Sequence, residues 1–257
     1  MPPVSEHEVI SERIHPALDG VRIGHISDIH VRRGVRPRRL ERAVELLNLL
    51  QPDFVAMTGD YVCFSPRPLP RLTTALRRLT VPTFATLGNH DHWCGAPEVR
   101  AALLRAGVQV LTNEHRVLDV NGRPLHLVGL DDPVTKKSDP ELAFDGVPED
   151  ATSIVLSHCP DYADRLRQRN AALVLSGHTH GGQVFIKRVT PYVSARLGMK
   201  YLHGFFDLDG TILYVNRGLG AGVPLRFRAP PEVTILTLRS AARGMLGAGS
   251  VSTSAAA

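Results

Sequence analysis

The chain has 257 residues, with 43% hydrophobic and 21% charged residues and a formal charge of +5. That is the composition of a folded domain with a large core, and it excludes a chain that is disordered throughout. No stretch reaches the roughly 18 to 20 apolar residues needed to span a bilayer, and the start MPPVSEHEVISERIH lacks the apolar centre of a secretion signal. The expected location is therefore cytoplasmic, with peripheral membrane contact as the alternative.

Residues 1–20 read as a polar leader. Val21 to Ser27, VRIGHIS, is a short β-type run ending at Asp28-Ile29-His30. Arg32, Arg33, Arg36, Arg38, Arg39 and Arg42 crowd the next segment. The cluster partly opens a helix over 37–50, where Leu40, Val44, Leu47 and Leu50 recur at helical spacing, and no aromatic interleaving suggests base stacking. A solvated helix face is favoured over nucleic-acid binding. The run DFVAMT stops at Gly59-Asp60, a second helix covers 70–79, and VPTFATL ends at Gly88-Asn89-His90-Asp91.

This order of strand, helix, strand, helix, strand predicts parallel strands joined by right-handed crossovers, with all carboxyl ends on one sheet edge. Ligand sites of open α/β sheets lie at that edge. A helix over 97–106 follows, then the VQVL run, then two alternating runs around Asn121-Gly122, which read as a hairpin and a switch to antiparallel pairing. Residues 133–150 read as a loop with one short helix. The short strand 154–156 ends in Ser157-His158, a helix over 161–168 follows, and AALVL leads into SGHTHGGQ at 176–183. Residues 187–206 form a basic and aromatic loop, followed by the hairpin FFDLDGTILYVN and the strand PEVTILTLR. A single domain over 21–239 and a disordered Gly/Ala/Ser-rich tail over 240–257 are expected.

Two histidines one residue apart between glycines, as in SGHTHGGQ, can point into one cavity. A turn with two surface histidines is the competing reading. It is opposed by four upstream repeats of the same arrangement, an apolar run followed at once by Asp, Asn or His. The converging set is Asp28, His30, Asp60, Asn89, His158, His178 and His180. Carboxylate, imidazole and amide donors suit manganese, zinc, iron or magnesium better than softer centres. Seven donors are too many for one ordinary site and suit two sites sharing a carboxylate, the arrangement that can clamp both oxygens of an in-line phosphoryl displacement. Cys63, Cys94 and Cys159 form no pair at redox or metal-binding spacing; they read as small buried thiols, with adventitious metal contact or oxidation as the lesser alternative.

The blocks SDIH at 27–30, GD at 59–60, GNHD at 88–91, SH at 157–158 and GHTH at 177–180 resemble the calcineurin-like metallophosphoesterase family over about residues 21–239. That resemblance implies a four-layered α/β/β/α sandwich with mixed sheets and a dinuclear centre, manganese favoured. It places Asp28, His30 and His180 on the first metal and Asn89, His158 and His178 on the second, with Asp60 bridging. His90 would face the substrate and stabilise or protonate the leaving oxygen, and Asp91 would orient its ring. Attack by a metal-bridging hydroxide, without a phosphoenzyme, follows.

Arg32, Arg33, Arg36, His92 and Trp93 are the expected substrate-binding residues, by a second phosphate contact or by stacking. The expected substrate is a small phosphodiester or diphosphate of nucleotide or nucleotide-sugar type. The late segment GHTHGGQ…KYLHGFF…NRGLGAGVPLRFR resembles the branch containing membrane-associated phosphodiesterases and UDP-2,3-diacylglucosamine diphosphatases. Such a lipid precursor is the alternative substrate, with Leu197, Met199, Tyr201, Leu202, Phe205 and Phe206 either lining an acyl groove or packing on the sheet. A catalytically silent binding protein is the alternative of another class; it predicts gaps in the ligand set, and the sequence has none. No partner protein is implied.

Overall fold

The computed structural model describes residues 2–120, 122–222 and 225–241. Asn121 of the expected hairpin turn and residues 242–257 of the expected tail lie outside the described residues.

Among the described residues the chain forms two six-stranded sheets packed face to face. The first contains β1 (Val4–Ser11), β2 (Arg22–Ile26), β3 (Phe54–Thr58), β4 (Thr83–Thr86), β5 (Gln109–Val110) and β12 (Val233–Ser240), in the order β1-β12-β2-β3-β4-β5. Strands β2 to β5 run parallel, joined through α1 (Arg38–Leu50), α2 (Leu69–Leu76) and α3 (Asn89–Arg105). The second contains β6 (Glu114–Val120), β7 (Arg123–Gly129), β8 (Ser153–Leu156), β9 (Leu173–Ser176), β10 (Gly204–Leu208) and β11 (Thr211–Val215), in the order β10-β11-β9-β8-β7-β6. Hairpins β6/β7 and β10/β11 supply its antiparallel pairs, and β7, β8, β9 and β11 are parallel.

The period-two alternation of each buried strand sorts its side chains between two cores. On β3, Val55 and Met57 face Leu40, Val44, Leu47, Leu72 and Leu76 of α1 and α2, while Phe54 and Ala56 face the other sheet. On β8, Ile154 and Leu156 join that inter-sheet core, and Val155 faces the outer layer with Ala163, Leu166 and, from α4 (Pro140–Ala143), Ala143. The result is the expected α/β/β/α sandwich. Fully burying each of the valine, leucine, isoleucine, phenylalanine and methionine side chains among these contributes roughly 1.5–3 kcal/mol.

Two expectations need correction. The supposed leader contains β1, which pairs in parallel with β12 from Val4↔Val233 to Ser11↔Ser240, so Ser240 also belongs to a strand rather than to the tail. Its residues are mostly polar because β1 is an edge strand that buries mainly Val9 and Ser11. The supposed basic loop contains the two-turn α5 (Val189–Arg196), whose outer face is largely exposed. No helix among the described residues is long and apolar enough to cross a membrane.

Candidate metal centre

The seven expected donors stand at the carboxyl ends of β2, β3, β4, β8 and β9, where the two sheets meet at one end of the sandwich. Each turn must reverse within a residue or two of its strand. Asp28, His30, Asp60, His178 and His180 accordingly take positive φ angles of 47° to 69°, uncommon for residues with a side chain. Close packing holds them there. A Cβ at Gly177 would lie 1.9 Å from Ser27 Oγ and 2.2 Å from Asp28 Oδ2, and one at Gly88 would lie 2.3 Å from Asp60 Oδ1.

Two groups of donors result, Asp28–His30–His180 and Asp60–His158–His178, each with its ligand atoms within 4.8 Å of one another. In the first, His30 Nε2 and His180 Nε2 are 3.2 Å apart and lie 3.9 and 3.5 Å from Asp28 Oδ1. In the second, His158 Nε2 is 3.1 Å from Asn89 Oδ1 and 3.2 Å from His178 Nδ1. Asp60 Oδ2 stands between them, 3.6 Å from His30 Nε2 and 3.3 Å from His158 Nε2. Backbone N–H groups fix both carboxylates: His178 donates to Asp28, and His90 donates to Asp60 Oδ1 at 2.9 Å.

The donor set fits divalent cations. Asp28 and Asp60 are buried with imidazoles, not lysine or arginine, facing their oxygens, and a buried carboxylate needs a compensating positive charge. Burial pushes His30 and His178 down to about 4, into the neutral form that binds metals. Burial would also lower His158, but the charge and hydrogen bond of Asp60, with Asp28 and the Thr58 carbonyl, outweigh it and push His158 up to about 10. A proton on His158 would thus stand in for the positive charge of a cation there. His158 Nδ1 donates to the Thr58 carbonyl at 2.7 Å, which leaves Nε2 with its lone pair toward the site once that proton is gone.

Asp91 does something other than expected. Its buried carboxylate accepts the backbone N–H groups of Asp60 and Gly88 on Oδ2, at 2.8 and 2.9 Å, and that of Tyr61 on Oδ1, at 2.8 Å. It ties the GD turn to the GNHD turn instead of orienting the His90 ring. His90 is partly exposed at the mouth, its ring edge-on to His30 at 4.9 Å and flanked by Phe64 and Trp93 at 5.5 and 5.0 Å. Phe64, 78% exposed with φ 59°, escaped the sequence reading because a lone phenylalanine after a ligand turn gives no periodic signal. Trp93 is 64% exposed, but His92 turns away to a 2.6 Å contact with Asp131.

A cavity of about 570 Å³ opens beside His30, lined by Arg32, Arg36, Arg38, Arg39 and Arg226 with Val31, Val35 and Leu40. Arg33 is exposed outside this lining. Arg32 is held by the Ala221 carbonyl at 2.6 Å, and Arg36 pairs with Glu41 at 2.9 Å. Arg226, far away in sequence, lies in the late segment NRGLGAGVPLRFR, but nothing there marked it as reaching the donors. Its guanidinium donates to the Arg217 carbonyl at 2.8 Å and approaches His180 Nδ1 at 3.3 Å.

A family model described as calcineurin-like phosphoesterase matches residues 21–182. The chain is 33% identical over 244 residues to an uncharacterized metallophosphoesterase, YkuE, of Bacillus subtilis, covering 92% of this chain and 85% of the relative. It is 31% identical over 219 residues to the phosphodiesterase YaeI of Escherichia coli, covering 83% and 80%. It is 30% identical over 275 aligned positions to the UDP-2,3-diacylglucosamine pyrophosphatase LpxG of Chlamydia trachomatis, covering 85% and 84%. Among solved structures, NAD nucleotidase of Haemophilus influenzae superposes with a TM-score of 0.52 at 16% identity, over 78% of this chain and 51% of that one. The chain thus spans about half that protein, and at such identity the likeness concerns the fold.

Proposed function

The chain belongs to the calcineurin-like phosphoesterase family, and on that premise we propose that it is a phosphodiesterase or diphosphatase dependent on two divalent cations, manganese favoured. The observation that carries this reading is Asp60 Oδ2, placed between a nitrogen of each donor group. Asp28, His30 and His180 would hold one cation, Asn89, His158 and His178 the other, and Asp60 both. Bound there, the cations would lower the pKa of an attacking water and neutralise phosphate oxygens.

The chain's own residues do the rest. His90 stands at the mouth, where a partly exposed imidazole can give a proton to the leaving oxygen. Asp91 fixes the turns that carry Asp60 and His90. The five arginines of the cavity beside His30 favour a substrate with a second anionic group, as a nucleotide or nucleotide-sugar diphosphate has. Phe64 and Trp93 flank His90, the side from which a leaving group departs.

One observation favours a second substrate, a lipid-linked diphosphate such as the one named for LpxG. Val189, Tyr192, Val193 and Leu197 are exposed on and just after α5, beside Lys187, Arg188 and Arg196, a combination suited to acyl chains or a membrane surface. Tyr201, Leu202 and Phe206 pack inward and Met199 is half-buried, which leaves Leu197 and Phe205 as the exposed members of the expected groove. The test is hydrolysis of a matched panel by manganese-loaded protein, with Asp60→Asn as control. The panel comprises p-nitrophenyl phosphate, bis-p-nitrophenyl phosphate, cyclic nucleotides, UDP-sugars and UDP-2,3-diacylglucosamine. Turnover of small diesters or UDP-sugars, lost in Asp60→Asn, supports the first reading. Selective turnover of the acylated sugar replaces it with the second, and no metal-dependent turnover overturns both in favour of a binding protein.

A further inference from the structure

Beside the two groups of donors assigned above lies a third. The ligand atoms of His30, Cys63 and His90 also fall within 4.8 Å of one another. Backbone pairing produces the juxtaposition: His30 N–H donates to the Asp60 carbonyl and Val31 N–H to that of Tyr61, both at 2.9 Å, and Val31 bridges Val62. Segment 60–63 therefore runs alongside 28–31, and Cys63 comes beside the His30 ring. His90 completes the trio from the third ligand turn.

We infer that Cys63, His90 and His30 form an additional cation position, shared through His30 with the first metal position and selective for thiophilic divalent ions of the zinc and cadmium class. Three observations converge on it. Cys63 is close to two imidazoles yet only 6% exposed, so a bound ion is shielded from water on that side. His90 is partly exposed, which gives an ion a way in. Nδ1 of the buried His30 has no hydrogen-bond partner, whereas Nε2 faces Asp28, Asp60 and His180, so the shared imidazole has an uncommitted nitrogen.

The chemistry separates this position from its neighbours. The seven donors of the main centre include no sulfur and accept manganese or magnesium; a thiolate with imidazoles prefers zinc, cadmium or cuprous copper. Uptake converts Cys63 from thiol to thiolate and, when a cation already sits on Nε2, His30 from imidazole to a bridging imidazolate, with both protons released to solvent. The functional consequence rests on the phosphoesterase reading: an ion held by His90 takes that imidazole away from the leaving oxygen. Thiophilic metal in excess then inhibits an enzyme that manganese activates.

The test titrates the manganese-loaded full chain with cadmium chloride. It follows sulfur-to-cadmium charge-transfer absorption in the ultraviolet, with hydrolysis of bis-p-nitrophenyl phosphate in parallel. The absorption is expected to grow to saturation while hydrolysis falls over the same cadmium range. Cys63→Ser, shown to melt like the parent, is expected to abolish the absorption and to move inhibition to at least about tenfold more cadmium. His90→Ala weakens cadmium uptake by a similar factor, and Cys94→Ser and Cys159→Ser leave the absorption in place. Absorption that persists in Cys63→Ser, or inhibition without any charge-transfer absorption, overturns the proposal. A protein without hydrolytic activity that still shows Cys63-dependent absorption retains the cation position and loses the phosphoesterase reading.

Discussion

Replacing Asp91 with asparagine tests the claim that this carboxylate braces two ligand turns. Its Oδ2 receives Asp60 N–H and Gly88 N–H at 2.8 and 2.9 Å; its Oδ1 receives Tyr61 N–H at 2.8 Å and Val62 N–H, more weakly, at 3.4 Å. Asparagine keeps one oxygen and sets an NH2 donor where the other stood. The less costly orientation keeps the Oδ2 contacts and turns the NH2 toward Tyr61 and Val62. Two buried donors then face a donor, one having lost a good bond and one a weak bond, at a cost of about 2–4 kcal/mol. Burial and the neighbouring Asp60 charge push Asp91 up to about 7, so asparagine also removes some repulsion in the metal-free protein. Bound cations screen that repulsion, and the full cost is expected only with metal present. Urea unfolding of parent and Asp91→Asn, each with and without manganese, measures both quantities. A loss below about 0.5 kcal/mol with metal bound would refute the bracing role, since even one unsatisfied buried donor costs more.

Two other perturbations probe neighbouring features. Gly177→Ala introduces a Cβ 2.2 Å from Asp28 Oδ2 and should displace that ligand, lowering kcat/KM by about 10²-fold, the scale of a 1 Å misplacement; equilibrium manganese binding indistinguishable from the parent's would count against the crowding argument. His92 is raised by its hydrogen bond to Asp131, so its contribution to stability is fully present below its unfolded pKa and is lost as pH rises through the folded one. The urea midpoints of parent and His92→Gln should therefore differ more at about pH 5.5 than at about pH 9, and a gap that widens with pH contradicts the pairing.

The sequence made the ligand turns legible because each follows a run of apolar residues and carries a donor where the chain must reverse. Their backbone strain was not legible, since the positive φ at Asp28 goes with close packing against Gly177 and Gly218, glycines distant in sequence. Strand β1 was hidden for a related reason: its partner β12 lies more than two hundred residues away, and VSEHEVIS alone lacks the apolar content of a buried strand. The helix after GNHD was expected to begin at 97. It begins at Asn89 and breaks at Gly95, with φ 116°, so the turn that carries His90 is itself the first helical turn. The bracing by Asp91 depends on backbone donors thirty residues upstream, which no local pattern reports. Arg226 reaches its cavity through the same long-range folding.

Each proposed cation position draws on both sheets: Asp28 and His30 with His180, and Asp60 and Asn89 with His158 and His178. An ion bound there would therefore be a reversible cross-link, and one joining His30 to His180 would close a loop of 150 residues. It would grip the sandwich at one end, like a clasp, while the remainder is held by the apolar core between the sheets and a few buried polar links such as Tyr214 to Thr234 and Asn216 to the His25 carbonyl. Stripping such ions would loosen the two sheets first at the edge where the strands finish.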